Sequence, residues 1–399
     1  MHYDKLAHDV FSWVDEKIKK HGPRLAGDEA SRNAADDIYQ DMEKFADHVG
    51  KDDFYIHQGA FLGWIRILVV AYLAATLFLW INQPLISIIL TLSAILILIL
   101  QFFLYLPLLD RLYPKRLSRN VYGVIEPKEE VKRQVILSGH HDSAHVFNFF
   151  IHQPKLYNLR TTGSIGIVIL LLLLSIVQLI LPSITLLQLI LPILASIGFL
   201  WVGQMWFFSS KKASPGAGDN LVASGLSLVL GQHYAALKKS EDALKHTRII
   251  MMSFDAEEEG LRGARAFARA HETMLKKLPT SMINMDCLYD EKELFFLTSD
   301  LNNFVKLDET LANDLNHTAE SIGLKTKTQP LAFLTGGTDA AEFAKIGISA
   351  TTIIGMPWTN DSRSNVYHTP NDTLEHVQLD VVKSTIHIID HWIRQNDLA

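Results

Sequence analysis

The residues in this chain best suited to chemistry form one acidic run, Asp255-Ala256-Glu257-Glu258-Glu259-Gly260-Leu261-Arg262-Gly263. It follows Arg248-Ile249-Ile250-Met251-Met252-Ser253-Phe254, a short apolar stretch rich in β-formers, of the kind that makes a buried strand. Acids at the mouth of a strand, before a Gly-punctuated turn into a helix over Ala264 to Ala270, sit where open α/β sheets place their ligands. One such carboxylate can hold a metal while its neighbour moves a proton. An acidic cluster opening a helix also satisfies the helix dipole, so the run alone does not decide. Four other positions have the same character. Gln134 to Gly139 reads as a strand delivering His140-His141-Asp142, and the breaker cluster Pro215-Gly216-Ala217-Gly218 delivers Asp219-Asn220. Ser281 to Met285 delivers Asp286, and the turn-rich Tyr367-His368-Thr369-Pro370-Asn371-Asp372-Thr373 presents His368. Two His, two Asp and a Glu form a mixed N/O set suited to zinc-type metals.

Taken in order, His-x-Asp, Asp-Asn, Glu-Glu-x-Gly-Leu-x-Gly, Met-Asp and Tyr-His-Thr-Pro resemble the co-catalytic di-zinc aminopeptidase family. That family includes bacterial leucyl aminopeptidases, glutamate carboxypeptidase II and the non-catalytic transferrin receptor. Gly22-Pro23-Arg24-Leu25-Ala26-Gly27, with a helix through Tyr39 and Met42, is similar to its opening segment; Leu221 to Gly225 departs from it in spacing. The resemblance implies two zinc ions sharing Asp219, with His140 and Asp286 completing one shell and Glu258 and His368 the other. Each ion would keep an open position, and a hydroxide held between them would attack the scissile carbonyl. Glu257 is implied as the general base, and Asp142 as the group that fixes the His140 tautomer. A solvated helix-start acid and a loop cap are the structural alternatives for these two. The peptide bond after Asp219 is implied to be cis.

Other candidates read more plainly. Neighbours on a strand face opposite ways, so His141 and His145 are expected not to bind metal. Glu259 reads as a solvated first-turn carboxylate, and Cys287 as either a soft ligand or a buried strand-end thiol. Gly336-Gly337-Thr338-Asp339 is either similar to a family loop that lines the substrate pocket or a plain Gly turn.

Of 399 residues, 48% are hydrophobic, and the excess is concentrated in two places. Ala60 to Ile81 and Leu85 to Leu109 flank Asn82-Gln83-Pro84, and Ser164 to Leu181 and Ile184 to Phe208 flank Pro182-Ser183. Each run has about the 20 residues a membrane-spanning helix needs. Arg66 is the one charge within them, near an end, and Trp and Tyr residues lie mostly towards the ends. Each hairpin leaves and re-enters one folded domain. Its flanks carry Arg111, Lys115, Arg116 and Arg119, or Lys155, Arg160, Lys211 and Lys212, so the positive-inside rule puts the catalytic domain in the cytoplasm. The single cysteine agrees, since it permits no internal disulfide. Met1 to Lys20 reads as a charged amphipathic helix and not as a signal peptide. Asn316, Asn360 and Asn371 open chance glycosylation sequons under that topology. A net charge of −6 gives no basic surface for nucleic acid.

The expected fold is a three-layer α/β/α sandwich with a mixed, mostly parallel sheet, interrupted by two transmembrane hairpins. Residues 1–59, 110–163 and 209–399 would form the zinc peptidase domain, with hairpins at 60–109 and 164–208. Strands are expected at Val121 to Ile125, Gln134 to Ser138, Arg248 to Phe254, Ser281 to Met285, Glu293 to Leu297 and Ala350 to Gly355. Helices are expected over Leu221 to Leu237, Gly263 to His271, Asn303 to Ile322 and Val382 to Gln395. The leading expectation is a membrane-anchored di-zinc exopeptidase, an aminopeptidase acting on peptides. The alternatives are a non-catalytic scaffold on the same fold and a mono-zinc glutaminyl cyclase. Oligomeric state is left open.

Overall fold

The apolar runs form the centre of a nine-stranded mixed sheet in a computed structural model that describes residues 2–359 and 362–397. Asn360 lies outside the described residues. In chain order the strands are β1 (His48–His57), β2 (Lys115–Ile125), β3 (Arg133–His140), β4 (His145–Phe147), β5 (Ser209–Ala213), β6 (Thr247–Phe254), β7 (Thr280–Leu288), β8 (Leu294–Asp300), β9 (Val305–Lys306), β10 (Thr328–Pro330) and β11 (Ser349–Gly355). The sheet runs β1-β2-β6-β3-β7-β11-β8-β10, with β9 paired to β8 and β4-β5 forming a separate ribbon. Its central run β6-β3-β7-β11 is parallel, and β1-β2, β2-β6 and β11-β8 are antiparallel. Parallel strands buried on both faces need continuous apolar sequence. Ile136, Leu137, Met251, Met252, Ile283, Met285, Ile353 and Ile354 supply it, each almost fully buried.

Two compact units make up the chain. One comprises Met1–Gln58, Lys115–Val146 and Lys212–Ala399, and the other Gly59–Pro114 and Phe147–Lys211. In the first, helices His2–His21, Glu29–Glu43, Val222–Leu237, Arg262–Leu275, Glu309–Ser321 and Leu379–Asp397 accompany the sheet. The helix expected from Asn303 starts instead at Glu309. The Asp308 carboxylate accepts the N–H of Thr310 at 2.9 Å and of Leu311 at 3.1 Å, an N-cap that sets the boundary. Residues 305 and 306 join β8 as β9. Gly139 lets the Val222–Leu237 helix approach β3, because a Cβ there would meet Ala223 Cβ at 2.5 Å and Ser224 N at 2.6 Å.

The entrance to β6 is fixed from the far end of the chain. Asp397 accepts the backbone N–H groups of Lys245, His246 and Thr247 at 2.7, 2.9 and 2.8 Å. Burial raises its pKa, but those donors outweigh it and hold the carboxyl below its usual range. A depressed folded pKa means the stabilisation is complete above the unfolded value of about 3.9 and is lost as pH falls through the folded value. Asp397→Asn is therefore expected to lower the melting temperature at pH 7, with the gap to the parent closing as acid is added. Thermal unfolding from pH 7 to 2 measures this, and a pH-independent gap would contradict it.

The second unit is inverted in polarity. Its helices Ala60–Trp80, Pro84–Phe103, Pro154–Ile180 and Thr185–Phe207 are each long and apolar enough to cross a membrane. The second leaves helical geometry after Phe103, short of Leu109, and the third starts ahead of Ser164 and includes Arg160. The buried side of this unit is where its polar groups meet. Gln178 Nε2 donates to Leu79 O at 3.1 Å, the Ser87 and Ser175 hydroxyls lie 2.8 Å apart, and Tyr72 donates to Ala195 O at 2.9 Å. Its outer side exposes Leu77, Leu96, Leu173 and Leu200, the last 80% accessible. Small and polar residues between helices with Leu outside is the arrangement favoured where the surroundings are lipid.

Candidate metal centre

Three adjacent parallel strands bring the acids and imidazoles to one edge. His140 ends β3 opposite Phe254 of β6, and Ser138 pairs with Asn284 of β7. Two residues further on in β3 and β7, His140 and Asp286 occupy the same face. The chain leaving β6 turns at Ala256, whose φ is +61°, and presents Glu257 and Glu258. Asp219 sits in a kinked segment, Ala217–Leu221, with a cis peptide to Asn220. His368 arrives from a turn with φ of +52°.

These groups converge around Asp219. Its Oδ1 lies 3.2 Å from His140 Nε2, and its Oδ2 lies 3.0 Å from His368 Nε2. His140 Nε2 is also 4.0 Å from Asp286 Oδ1 and 3.8 Å from Glu257 Oε2, and His368 Nε2 is 3.2 Å from Glu258 Oε1. Three groups of ligand atoms each fall within 4.8 Å: His140-Asp219-Asp286, Asp219-Glu258-His368 and His140-Glu257-Glu258. All five sequence-predicted ligands and Glu257 are therefore brought together. The donor set fits a metal on a second count. His140 Nε2, Asp219 Oδ2, Glu258 Oε1 and Asp286 Oδ1 are buried without a hydrogen bond of acceptable geometry, although each has close neighbours of the set. Buried polar atoms crowded together in this way have the disposition of ligands.

The electrostatics agree. Burial raises the Asp219 pKa, yet the two imidazoles outweigh it and hold the carboxyl below its usual range. Burial lowers His368, but Glu258 and Asp219 outweigh it and raise it to about 9. Asp286 is pushed up to about 7 by burial, against His140 and with Asp219 adding to the rise. A field that draws protons onto buried imidazoles also draws divalent cations.

Asp142 serves two groups at once. Its Oδ1 lies 3.3 Å from His140 Nδ1, and its two oxygens accept the backbone N–H of Glu257 at 3.2 Å and Glu258 at 3.1 Å. Asp255, first acid of the run, accepts from the Ser31 hydroxyl and the Arg119 N–H, so it serves the fold. Glu259 departs from expectation: it is only 7% exposed, because the tight turn through Gly260 and Leu261 carries it inward before the helix starts at Arg262. His141 bonds Ser253 at 2.9 Å through Nδ1, and burial takes it down to about 3. Cys287 is a buried thiol outside the three ligand groups. Thr338 bonds Asp300 and Thr352, which buries Asp339 beside this region.

Two supporting residues carried no sequence signal of their role. Arg24, fully buried, donates to the carbonyls of Gly22, His141 and Gly216, tying together the segments that carry His140 and Asp219. Asp372 accepts the N–H of Gly218 at 2.9 Å and of Asp219 at 3.3 Å, so the His368 loop holds the Asp219 segment. Asp372→Ala strands two buried donors, at about 1–3 kcal/mol each. It is expected to lower the melting temperature and weaken metal affinity by about 10–100-fold, as read by titration calorimetry; unchanged affinity would contradict this.

Paired His and carboxylate clusters at the carboxyl ends of a parallel sheet are suited to metal-assisted hydrolysis. Residues 205–393 match the model of peptidase family M28. The fold is similar to an aminopeptidase from Aneurinibacillus sp. strain AM-1, with TM-score 0.56 and 15% identity over 98% of this chain and 93% of that one. It is also similar to a zinc aminopeptidase from Bacillus subtilis, with TM-score 0.56 and 15% identity over 98% and 95%. A glutaminyl cyclase from Bacteroides thetaiotaomicron gives TM-score 0.57 and 12% identity over 97% of both chains. No curated protein matches in sequence.

Proposed function

We propose that the protein is a membrane-anchored di-zinc exopeptidase that removes N-terminal residues from peptides. One observation carries the two-metal reading: the two oxygens of Asp219 face different imidazoles, each with its own further carboxylate. His140, Asp219 and Asp286 would hold one ion, and Asp219, Glu258 and His368 the other. Bound metal supplies Lewis-acid charge and lowers the pKa of water at the site. The chain supplies the proton traffic. Glu257 takes a proton from the attacking water and delivers it to the departing amine nitrogen. Asp142 orients His140 and holds the backbone that carries Glu257. The apolar helices and their basic flanks support an integral membrane protein with its catalytic residues on the cytoplasmic side.

A second reading, glutaminyl cyclase, is favoured by the cyclase fold likeness. Purified full-length chain given fluorogenic aminoacyl substrates, with and without a zinc chelator, separates the readings. The proposal expects hydrolysis, its loss on chelation, recovery with zinc and two metals per chain. One metal per chain with ammonia released from an N-terminal Gln would establish the cyclase. No metal and no turnover would leave a scaffold.

A further inference from the structure

We propose that the apolar unit holds one membrane phospholipid, its phosphate at Arg66 and one acyl chain in the groove between helices Ala60–Trp80 and Thr185–Phe207. The groove has a volume of about 570 Å³, and Val69, Val70, Leu73, Phe199, Leu200 and Trp206 line it. Positions 66, 69, 70 and 73 share one face of the first helix, which puts Arg66 at the end of the stripe. The two helices run in opposite directions between flank and tip, so Trp206 reaches the level of Arg66. The guanidinium carbon lies 5.7 Å from the Trp206 ring centroid. Tyr72 and Phe199, with ring centroids 6.3 Å apart, mark a level nearer the tip.

Charge and polarity select the occupant. Arg66 is exposed and, among the described residues, no carboxylate pairs with it. Stacking on an indole uses the face of a guanidinium and leaves its forked N–H edge to bind phosphate. Asp110 is the sole acid of this unit, against Arg66, Arg111, Lys155, Arg160 and Lys211, so an anionic head is attracted and a cationic one repelled. Trp206 at that level suits the headgroup boundary, and Leu200, 80% exposed, continues the apolar wall beyond it. The groove also has room without a side chain at Gly203, where the nearest atom a Cβ would meet is on the Phe199 ring, at 3.4 Å.

The inference rests on the membrane reading, and its test separates the two. Membranes containing the full-length chain are washed with alkaline carbonate; a chain released by the wash would overturn the membrane reading and the lipid site with it. Retained chain is extracted in neutral detergent, reconstituted with an equal mixture of phosphatidylglycerol and phosphatidylcholine, and examined by native mass spectrometry. The expected result is one tightly held phosphatidylglycerol per chain. Arg66→Gln should cut its retention on the order of tenfold, and Gly203→Leu should displace it by filling the groove. Both variants should keep the parent's hydrolysis of soluble aminoacyl substrates. Equal retention by all three chains, detergent in the lipid's place, no preference for phosphatidylglycerol, or a lipid-free dimer would overturn the proposal.

Discussion

Glu257→Gln is expected to reduce hydrolysis by about 10²–10⁴-fold, the contribution of a positioned general base, while metal content and melting temperature hold. Gln keeps the shape and part of the hydrogen-bonding capacity of Glu but cannot take up a proton. The Glu257 side chain is mostly buried, with 10% of it accessible. Burial pushes its carboxyl well above the usual range against the pull of His140, with Glu258, Asp286 and Asp339 adding to the rise. Such a group gives up its proton readily only when a cation is near, which couples its basicity to the presence of metal. The prediction is exposed to a specific failure. Glu257 also belongs to a ligand cluster with His140 and Glu258, and a variant that lost metal stoichiometrically would make it a ligand instead of a base. Emission spectroscopy for zinc, beside steady-state kinetics, reads both quantities from one preparation.

Asp219→Asn is expected to have the broader effect, because this side chain belongs to both ligand clusters on the two-metal reading. Losing it removes several kcal/mol of metal-dependent charge stabilisation, so activity should fall by at least about a thousandfold. The loss of stability should grow when metal is added. Metal-free, the variant loses the pairing with His140 and His368 that holds the Asp219 carboxyl below its usual range, and should melt below the parent. With zinc added, the parent gains stability in proportion to the logarithm of metal concentration over Kd, and the variant should gain little. Melting temperatures measured across a zinc titration test this. A full zinc-induced shift in the variant would remove Asp219 from its bridging position.

The strands that deliver the site were legible because buried parallel strands require unbroken apolar sequence. Gln134 to Ser138, Arg248 to Phe254, Ser281 to Met285 and Ala350 to Gly355 each announce themselves that way. β1 did not. His48–His57 is an edge strand with Lys51, Asp52 and Asp53 in its middle, and only Ile56 is buried. Edge strands carry charge to discourage pairing with other chains, and charge erases the pattern by which strands are recognised. The clustered His and carboxylate residues were legible because their order is distinctive. Their supports were not: Asp372 acts through two backbone amides and Arg24 through three carbonyls. Such bonds depend on where loops meet in space, which residue types alone do not record. The inward path of Glu259 has the same origin, a left-handed turn at Leu261 that its residue type does not favour.

His140 and Asp219 meet at 3.2 Å, yet the chain between them contains the whole second apolar hairpin. During synthesis, therefore, the first half of the cluster must wait while a long oily stretch is made and stowed before its partner can arrive. The last contributor, His368, follows later still. The cluster is therefore complete only once both the hairpin and the His368 loop have been made and folded.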